Sequence, residues 1–174
     1  MAHVKHNSGD NEWYTPGHII DSARQVMGSI DCDPASSEIA NRTVGATVYF
    51  TKDDNGLIQQ WSGNVWLNPP YAQPLIAQFS DALVEKYRSA EIVQAITLTN
   101  NASETKWAQT LFSAASAACF PRGRIRFLDP EGRPSGAPLQ GQMICYFGPN
   151  RERFKKVFAQ FGLVLLAREQ RATV

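Results

Sequence analysis

Short runs of β-branched and aromatic residues alternate with amphipathic stretches along most of this chain. That alternation constrains the fold to the α/β class, with a mainly parallel sheet between helices in a three-layer αβα arrangement. Strands are expected at residues 29–33, 44–50, 64–68, 91–98, 117–120, 124–128, 143–147 and 163–167. A first helix is expected to start with Thr15 as its cap and Pro16 in its first turn, carrying Ile19, Ile20, Ala23, Val26 and Met27 at helical spacing and stopping at Gly28. Further helices are expected at 75–87, at 104–115 with Ser103 as candidate cap, and at 151–161. Residues 129–141 contain three prolines and three glycines and read as a loop or hairpin tip. The closely spaced late strands add an antiparallel edge.

Two expected strands end in a polar residue followed by proline, at Asp33-Pro34 and Asn68-Pro69. In open α/β sheets, ligands bind beyond the carboxyl ends of the strands, so these two turns are the first candidates for a site.

At 174 residues the chain is long enough for one domain with a substantial core. Residues 1–11 are polar and expected to form a flexible N-terminus, leaving 12–174 as the single domain. The balance of 17 basic and 16 acidic residues gives a net charge of +1, so any polyanion must meet a local concentration of basic side chains. Cys32, Cys119 and Cys145 are far apart, with neither a disulfide framework nor metal-ligand spacing, and no His/Cys/acid cluster suggests a metal. There is no signal-like apolar segment at the start and no run of membrane-spanning length. A reducing cytoplasm is the expected compartment.

Asn68-Pro69-Pro70-Tyr71 is the candidate catalytic loop. The amine on adenine is a weak nucleophile because its lone pair is delocalised into the ring. Two acceptors bonded to its hydrogens restore lone-pair character, and the Asn68 side-chain oxygen and the Pro69 carbonyl can supply them. The prolines hold φ near −65° and so direct that carbonyl. Tyr71 can stack on a base taken out of the duplex. A glutamine amide is an acceptor of the same planar type, and a strand ending in a plain proline turn is the bland alternative.

Asp33-Pro34-Ala35-Ser36 is the cofactor candidate. A strand-end acid followed by small residues suits an adenosine-bearing ligand. No glycine-rich phosphate loop is present, which fits a cofactor without phosphates. Taken by itself, the segment reads more readily as a strand end with an ordinary Asp-Pro turn. Asp53 and Asp54, in the turn Asp53-Asp54-Asn55-Gly56, could bond an adenine amino group, or simply close a polar turn.

The ordered set of Glu12-Trp13-Tyr14-Thr15-Pro16, Ile30-Asp31-Cys32-Asp33-Pro34-Ala35-Ser36, Asp54-Asn55-Gly56-Leu57 with Trp61, Val65-Trp66-Leu67-Asn68-Pro69-Pro70-Tyr71, Gly123-Arg124-Ile125-Arg126-Phe127 and Phe147-Gly148 resembles the phage-type DNA N6-adenine methyltransferase (Dam-like) family over residues 12–150. The resemblance implies a Rossmann-like methyltransferase fold that binds S-adenosyl-L-methionine. It places Tyr14, Thr15, Pro16 and Asp33 in the cofactor pocket, Asp54 near the cofactor adenine with Asp53 as rival, and Asn68 to Tyr71 around the target base. The cofactor turn departs from many amino-methyltransferases in lacking their glycines. The family's association with phages implies a bacterial host cytoplasm and a phage or prophage origin.

Arg122, Arg124 and Arg126 alternate with Gly123, Ile125 and Phe127, so on a strand they share one face, and Arg133 follows in the loop. Residues 122–141 are therefore the expected contact for double-stranded DNA, arginine forks being suited to phosphates and guanine edges. A solvated edge-strand face is the alternative. The chain has no room for a separate recognition domain, so a monomer or weak homodimer is expected. Transfer to an RNA adenine or a protein glutamine, and non-catalytic nucleic-acid binding on the same scaffold, are the competing functions.

Overall fold

The computed structural model describes residues 13–135 and 140–168. Its strands are β1 (Cys32–Asp33), β2 (Val48–Tyr49), β3 (Asn64–Leu67), β4 (Gln94–Asn100), β5 (Ala117–Pro121), β6 (Gln142–Phe147) and β7 (Gly162–Leu166). Its helices are α1 (Gly17–Met27), α2 (Glu38–Val44), α3 (Leu75–Arg88), α4 (Lys106–Phe112) and α5 (Arg151–Phe158). All strands join one sheet in the order β2-β1-β3-β4-β6-β5-β7. The β1–β2, β1–β3 and β3–β4 pairs are parallel, while β4–β6, β5–β6 and β5–β7 are antiparallel. The antiparallel part is thus half of the sheet's pairings, wider than the expected edge. It follows that β1 to β5 all point one way and only β6 and β7 oppose them.

Alternation along the central strands divides the core in two. Ile96 and Leu98 of β4, with Ile144 and Tyr146 of β6, face α1 and α5, meeting Ile19, Ile20, Ala23, Phe154 and Phe158. Ala95 of β4, with Met143, Cys145 and Phe147 of β6, face α3 and α4, meeting Ile76, Phe79, Leu83, Trp107 and Leu111. Two helical layers therefore cover a central sheet, as the sequence pattern requires. Each fully buried large side chain in such a layer contributes about 1.5–3 kcal/mol.

Four local expectations change, three of them at helix ends. The first helix begins at Gly17 with Pro16 at the cap position and no side-chain cap, the Pro16 carbonyl accepting from Ile19 N–H at 3.1 Å. Thr15 is consequently not a capping residue. Helix α2 replaces the start of the strand expected at 44–50. Only Val44 of its residues is buried, so it has no apolar stripe to betray it, but Ser37 caps it by accepting from Ala40 N–H at 3.1 Å. Gly45, at φ +58°, ends it in a left-handed conformation that favours glycine. Helix α4 is capped by Thr105, which accepts from Ala108 N–H at 3.3 Å, rather than by Ser103.

Residues 124–128 do not form a strand. Leu128 alone makes isolated bridges, to Tyr14 and Pro134. The segment remains extended in character, since Ile125 and Phe127 are buried while Arg124 and Arg126 are exposed. Its anchors are single contacts: Ile125 N–H donates to the buried Gln142 Oε1 at 3.0 Å, and Ser135 N–H to the Phe127 carbonyl at 2.8 Å.

Candidate active site

Because β1 to β5 share one direction, their carboxyl ends lie along one edge of the sheet. Asp33 ends β1 and Asn68 directly follows β3, which pairs with β1 on one side and with β4 on the other. The end of β4 meets the start of β6 through the Asn100–Gln142 pair, and Asn101 N–H donates to the Gly141 carbonyl at 2.8 Å. The segment leaving Pro121 at the end of β5 therefore returns to the same edge. Topology alone gathers the turns after β1 and β3 and the arginine segment.

Asn68 is the centre of a small polar network. Its amide Nδ2 donates to Thr15 Oγ1 at 3.3 Å. Its Oδ1 accepts from the Tyr71 hydroxyl at 2.9 Å, and that hydroxyl also lies 3.4 Å from the Leu98 carbonyl. Tyr71 is half-buried against the α3/α4 side of the core, and burial pushes its phenol upward, so it remains protonated and able to donate. Pro69 is buried and Pro70 exposed. The turn thus holds Tyr71 inward, over the Asn68 oxygen.

Asp33 is 2% exposed. Its carboxylate accepts from Ala35 N–H at 3.2 Å, and the Ser36 hydroxyl also bonds it. Among the described residues no cation forms an ion pair with it. Desolvation raises its pKa to about 7, against the lowering effect of the Ser36 and Ala35 bonds. A buried carboxylate poised this way at a strand end has capacity for a positive or hydrogen-bonding ligand.

The Asp33 turn is braced from β2. Phe50 N–H donates to the Asp33 carbonyl at 3.0 Å and Ser36 N–H to the Phe50 carbonyl at 2.8 Å. Gly56 then packs on Pro34 so closely that a Cβ there would lie 1.9 Å from the Pro34 carbonyl oxygen. The buried Trp61 indole N–H donates to the Gly56 carbonyl at 2.7 Å and locks that approach. Asp54 closes its own turn, accepting from the Thr51 N–H at 2.8 Å and hydroxyl at 2.7 Å, which hold its carboxyl below the usual range. Asp53 and Asp54 are both exposed.

The N-terminal segment joins these parts. Tyr14, Thr15 and Pro16 are buried. Tyr14 exchanges backbone hydrogen bonds with Leu128, at 3.1 and 2.8 Å, while Thr15 reaches Asn68. The arginine segment is thereby tied to the catalytic candidate through two adjacent residues. Arg122, Arg124 and Arg126 are exposed there. Arg133 differs, because Asp129 and Glu131, each at 2.9 Å, offset its charge. Glu12 and residues 136–139 lie outside the described residues.

Sequence reading placed Thr15 beside a cofactor but did not link it to Asn68, which lies 53 positions away. Gln142, the anchor of Ile125, has one sequence signal, a polar residue opening a strand that is otherwise apolar and aromatic. Among the described residues no cluster of metal-ligating side chains occurs, and no helix is long and apolar enough to cross a membrane.

Residues 2–167 match the family model described as DNA N-6-adenine-methyltransferase (Dam). No curated protein and no solved structure matches the chain. The match takes in every element that builds the edge just described, from the Thr15 segment through β7, and the chain belongs to the DNA N-6-adenine-methyltransferase (Dam) family.

Proposed function

We propose that this protein transfers a methyl group from S-adenosyl-L-methionine to the exocyclic amine of an adenine extruded from double-stranded DNA. The observation that carries this reading is the Asn68-Pro69 turn at the end of β3, one strand away from the buried carboxylate of Asp33, which has no ion-pair partner among the described residues. The first supplies acceptors for an amine, and the second is a receptor for a polar or cationic ligand.

The residues fit S-adenosyl-L-methionine. Asp33 would bond its ribose or ammonium group, the Pro34-Ala35-Ser36 turn would admit it closely, and Tyr14, Thr15 and Pro16 would wall the same pocket. Asp54 would sit toward its adenine, with Asp53 as rival. When bound, the cofactor supplies an electrophilic methyl on a sulfonium.

The chain's own residues prepare the nucleophile. The Tyr71 hydroxyl must first leave Asn68 Oδ1, which it covers here. Tyr71 then stacks on the face of the extruded base. The two amine hydrogens donate to Asn68 Oδ1 and to the Pro69 carbonyl, which draws the lone pair back onto nitrogen. The nitrogen would take the methyl as the methyl's bond to sulfur breaks with its electron pair staying on the sulfur, leaving a neutral thioether, and one proton would leave the amine to solvent afterward. Positioning and electrostatics do the work, with no general base needed before transfer.

Arg122, Arg124 and Arg126 would hold the DNA backbone, with Arg133 contributing less because its charge is already offset. The acceptor is tested by incubating the protein and labelled cofactor with unmethylated plasmid DNA, total RNA or a glutamine-bearing peptide, then digesting and identifying the labelled product. Labelled N6-methyladenine from DNA supports the reading. Label confined to RNA adenine or glutamine would overturn it.

A further inference from the structure

Helices α3 and α4 each follow a strand that ends at the site edge, so both begin there, on the same side of the sheet. Between their starts lies a cleft of about 300 Å³ lined by Gln73, Ala77, Asp81, Thr105, Lys106 and Trp107. That volume is at the lower end of the range for small-ligand sites, about 300–1,000 Å³. Gln73 is two residues beyond Tyr71, a reach of at most about 7 Å along the chain. A nucleotide bonded to the extruded adenosine is therefore close enough to enter.

Thr105 commits its hydroxyl within the chain, donating to the Ala102 carbonyl at 2.7 Å and accepting from Ala108 N–H at 3.3 Å. Gln73, Asp81 and Lys106 do not. All three are exposed, and among the described residues none of their side chains makes a hydrogen bond or an ion pair. Asp81 and Lys106 remain unpaired although they carry opposite charges and line the same cleft. The buried Trp107 and half-buried Ala77 add an apolar flank against which a planar ring can lie.

The three free groups differ in kind. A carboxylate only accepts, an ammonium only donates and an amide does both. In the major groove, guanine and thymine offer a carboxylate nothing but acceptors, whereas cytosine and adenine each offer an amino group. The ammonium suits a phosphate, as a point charge on a flexible stem. We propose that this cleft reads the base next to the target adenine in the same strand. Asp81 accepts from the amino group of a cytosine or adenine, Gln73 bonds the same edge, and Lys106 holds the adjoining phosphate. The reading rests on the methyl transfer proposed above, and it gives a chain without a separate recognition domain a means of choosing among adenines.

The test maps methylated adenines by sequencing after brief reaction of unmethylated plasmid DNA with wild type, Asp81→Ala, Gln73→Ala and Lys106→Ala. Cofactor affinity is measured by calorimetry on the same preparations. Wild type should favour cytosine or adenine by about tenfold at one of the two positions beside the target. Asp81→Ala should lower that preference by about fivefold or more, and Gln73→Ala in the same direction, with preferences at other positions and cofactor affinity unchanged. Loss of the Asp81 charge alters overall DNA affinity equally at every site, so the preference is the deciding readout. Lys106→Ala should raise KM for DNA by about threefold or more at all sites and leave the preference intact.

N6-methyladenine formed by wild type without preference at either neighbour would overturn the proposal. So would a preference that survives in Asp81→Ala, or one for guanine that Lys106→Ala abolishes, since lysine would then be the reader. If wild type transfers no methyl to DNA, the proposed function fails and this reading with it, a result separate from those, which all require methylated adenine.

Discussion

Asp33 is the residue whose chemistry departs furthest from its type. Its carboxyl is raised from 3.8 to about 7 because burial disfavours the charge. A group raised in the fold favours folding while protonated. Its contribution is therefore full below the ordinary carboxylate pKa and is lost as pH climbs toward 7. Above that, the fold carries a buried anion with no ion-pair partner among the described residues. Asp33→Asn should accordingly stabilise the ligand-free protein at about pH 8 by on the order of 1–2 kcal/mol and change little near about pH 4, as read by thermal unfolding. The same variant should lose cofactor affinity, and wild-type affinity should rise as pH increases through 7. Equal stability effects at both pH values would show that the carboxyl is not raised. Sequence alone marked Asp33 by its place before proline, but burial is a tertiary property and the loss of its ordinary pKa could not be read there. For Asn68 the tetrapeptide itself was informative, while its two partners, Thr15 and Tyr71, divide into one remote and one local residue.

Among the elements, those with apolar periodicity were legible and those without it were not. Helices α1, α3 and α5 each carry a buried stripe, and their sequence-derived limits fall close to the observed ones. Helix α2 has a single buried residue, so a pattern search reads its last residue as the start of a strand. The segment at 124–128 shows the converse error. Its alternation of buried and exposed residues is real, but a strand also needs a ladder, and here Gln142 and Tyr14 replace one. The arginines still face solvent, so the proposed contact survives the loss of the strand. Arg124→Glu with Arg126→Glu should weaken DNA binding by about tenfold or more at low salt and reduce its salt dependence, leaving cofactor affinity unchanged. Unchanged DNA affinity would place the DNA elsewhere. The turn after β2 makes a separate prediction. Gly56→Ala puts a Cβ against the Pro34 carbonyl oxygen, a backbone atom that cannot swing aside. It should destabilise by about 1–3 kcal/mol in urea unfolding and weaken cofactor binding by displacing the Asp33 turn. A variant as stable as wild type, with full affinity, would show that the two turns move apart without cost.

Across the whole molecule, strand direction converts a scattered set of residues into one edge. The order β2-β1-β3-β4-β6-β5-β7 puts the ends of β1, β3 and β5 on the same side, and the antiparallel β6 brings its own start to meet them. The sequence pattern implied this class of sheet but not the extent of its antiparallel half, because β5, β6 and β7 have the same apolar character in either direction. Both core layers depend on the same central strands, so the site edge is held by the most buried part of the protein. What this architecture is proposed to serve is the Asn68 amide. The decisive comparison is therefore methyl transfer to unmethylated plasmid DNA by wild type and Asn68→Ala, with cofactor affinity measured on the same preparations. Formation of N6-methyladenine by wild type, a loss of about a hundredfold or more in kcat for the variant and unchanged cofactor affinity are expected. An Asn68→Ala protein that methylates adenine at the wild-type rate would contradict the central role given to this residue.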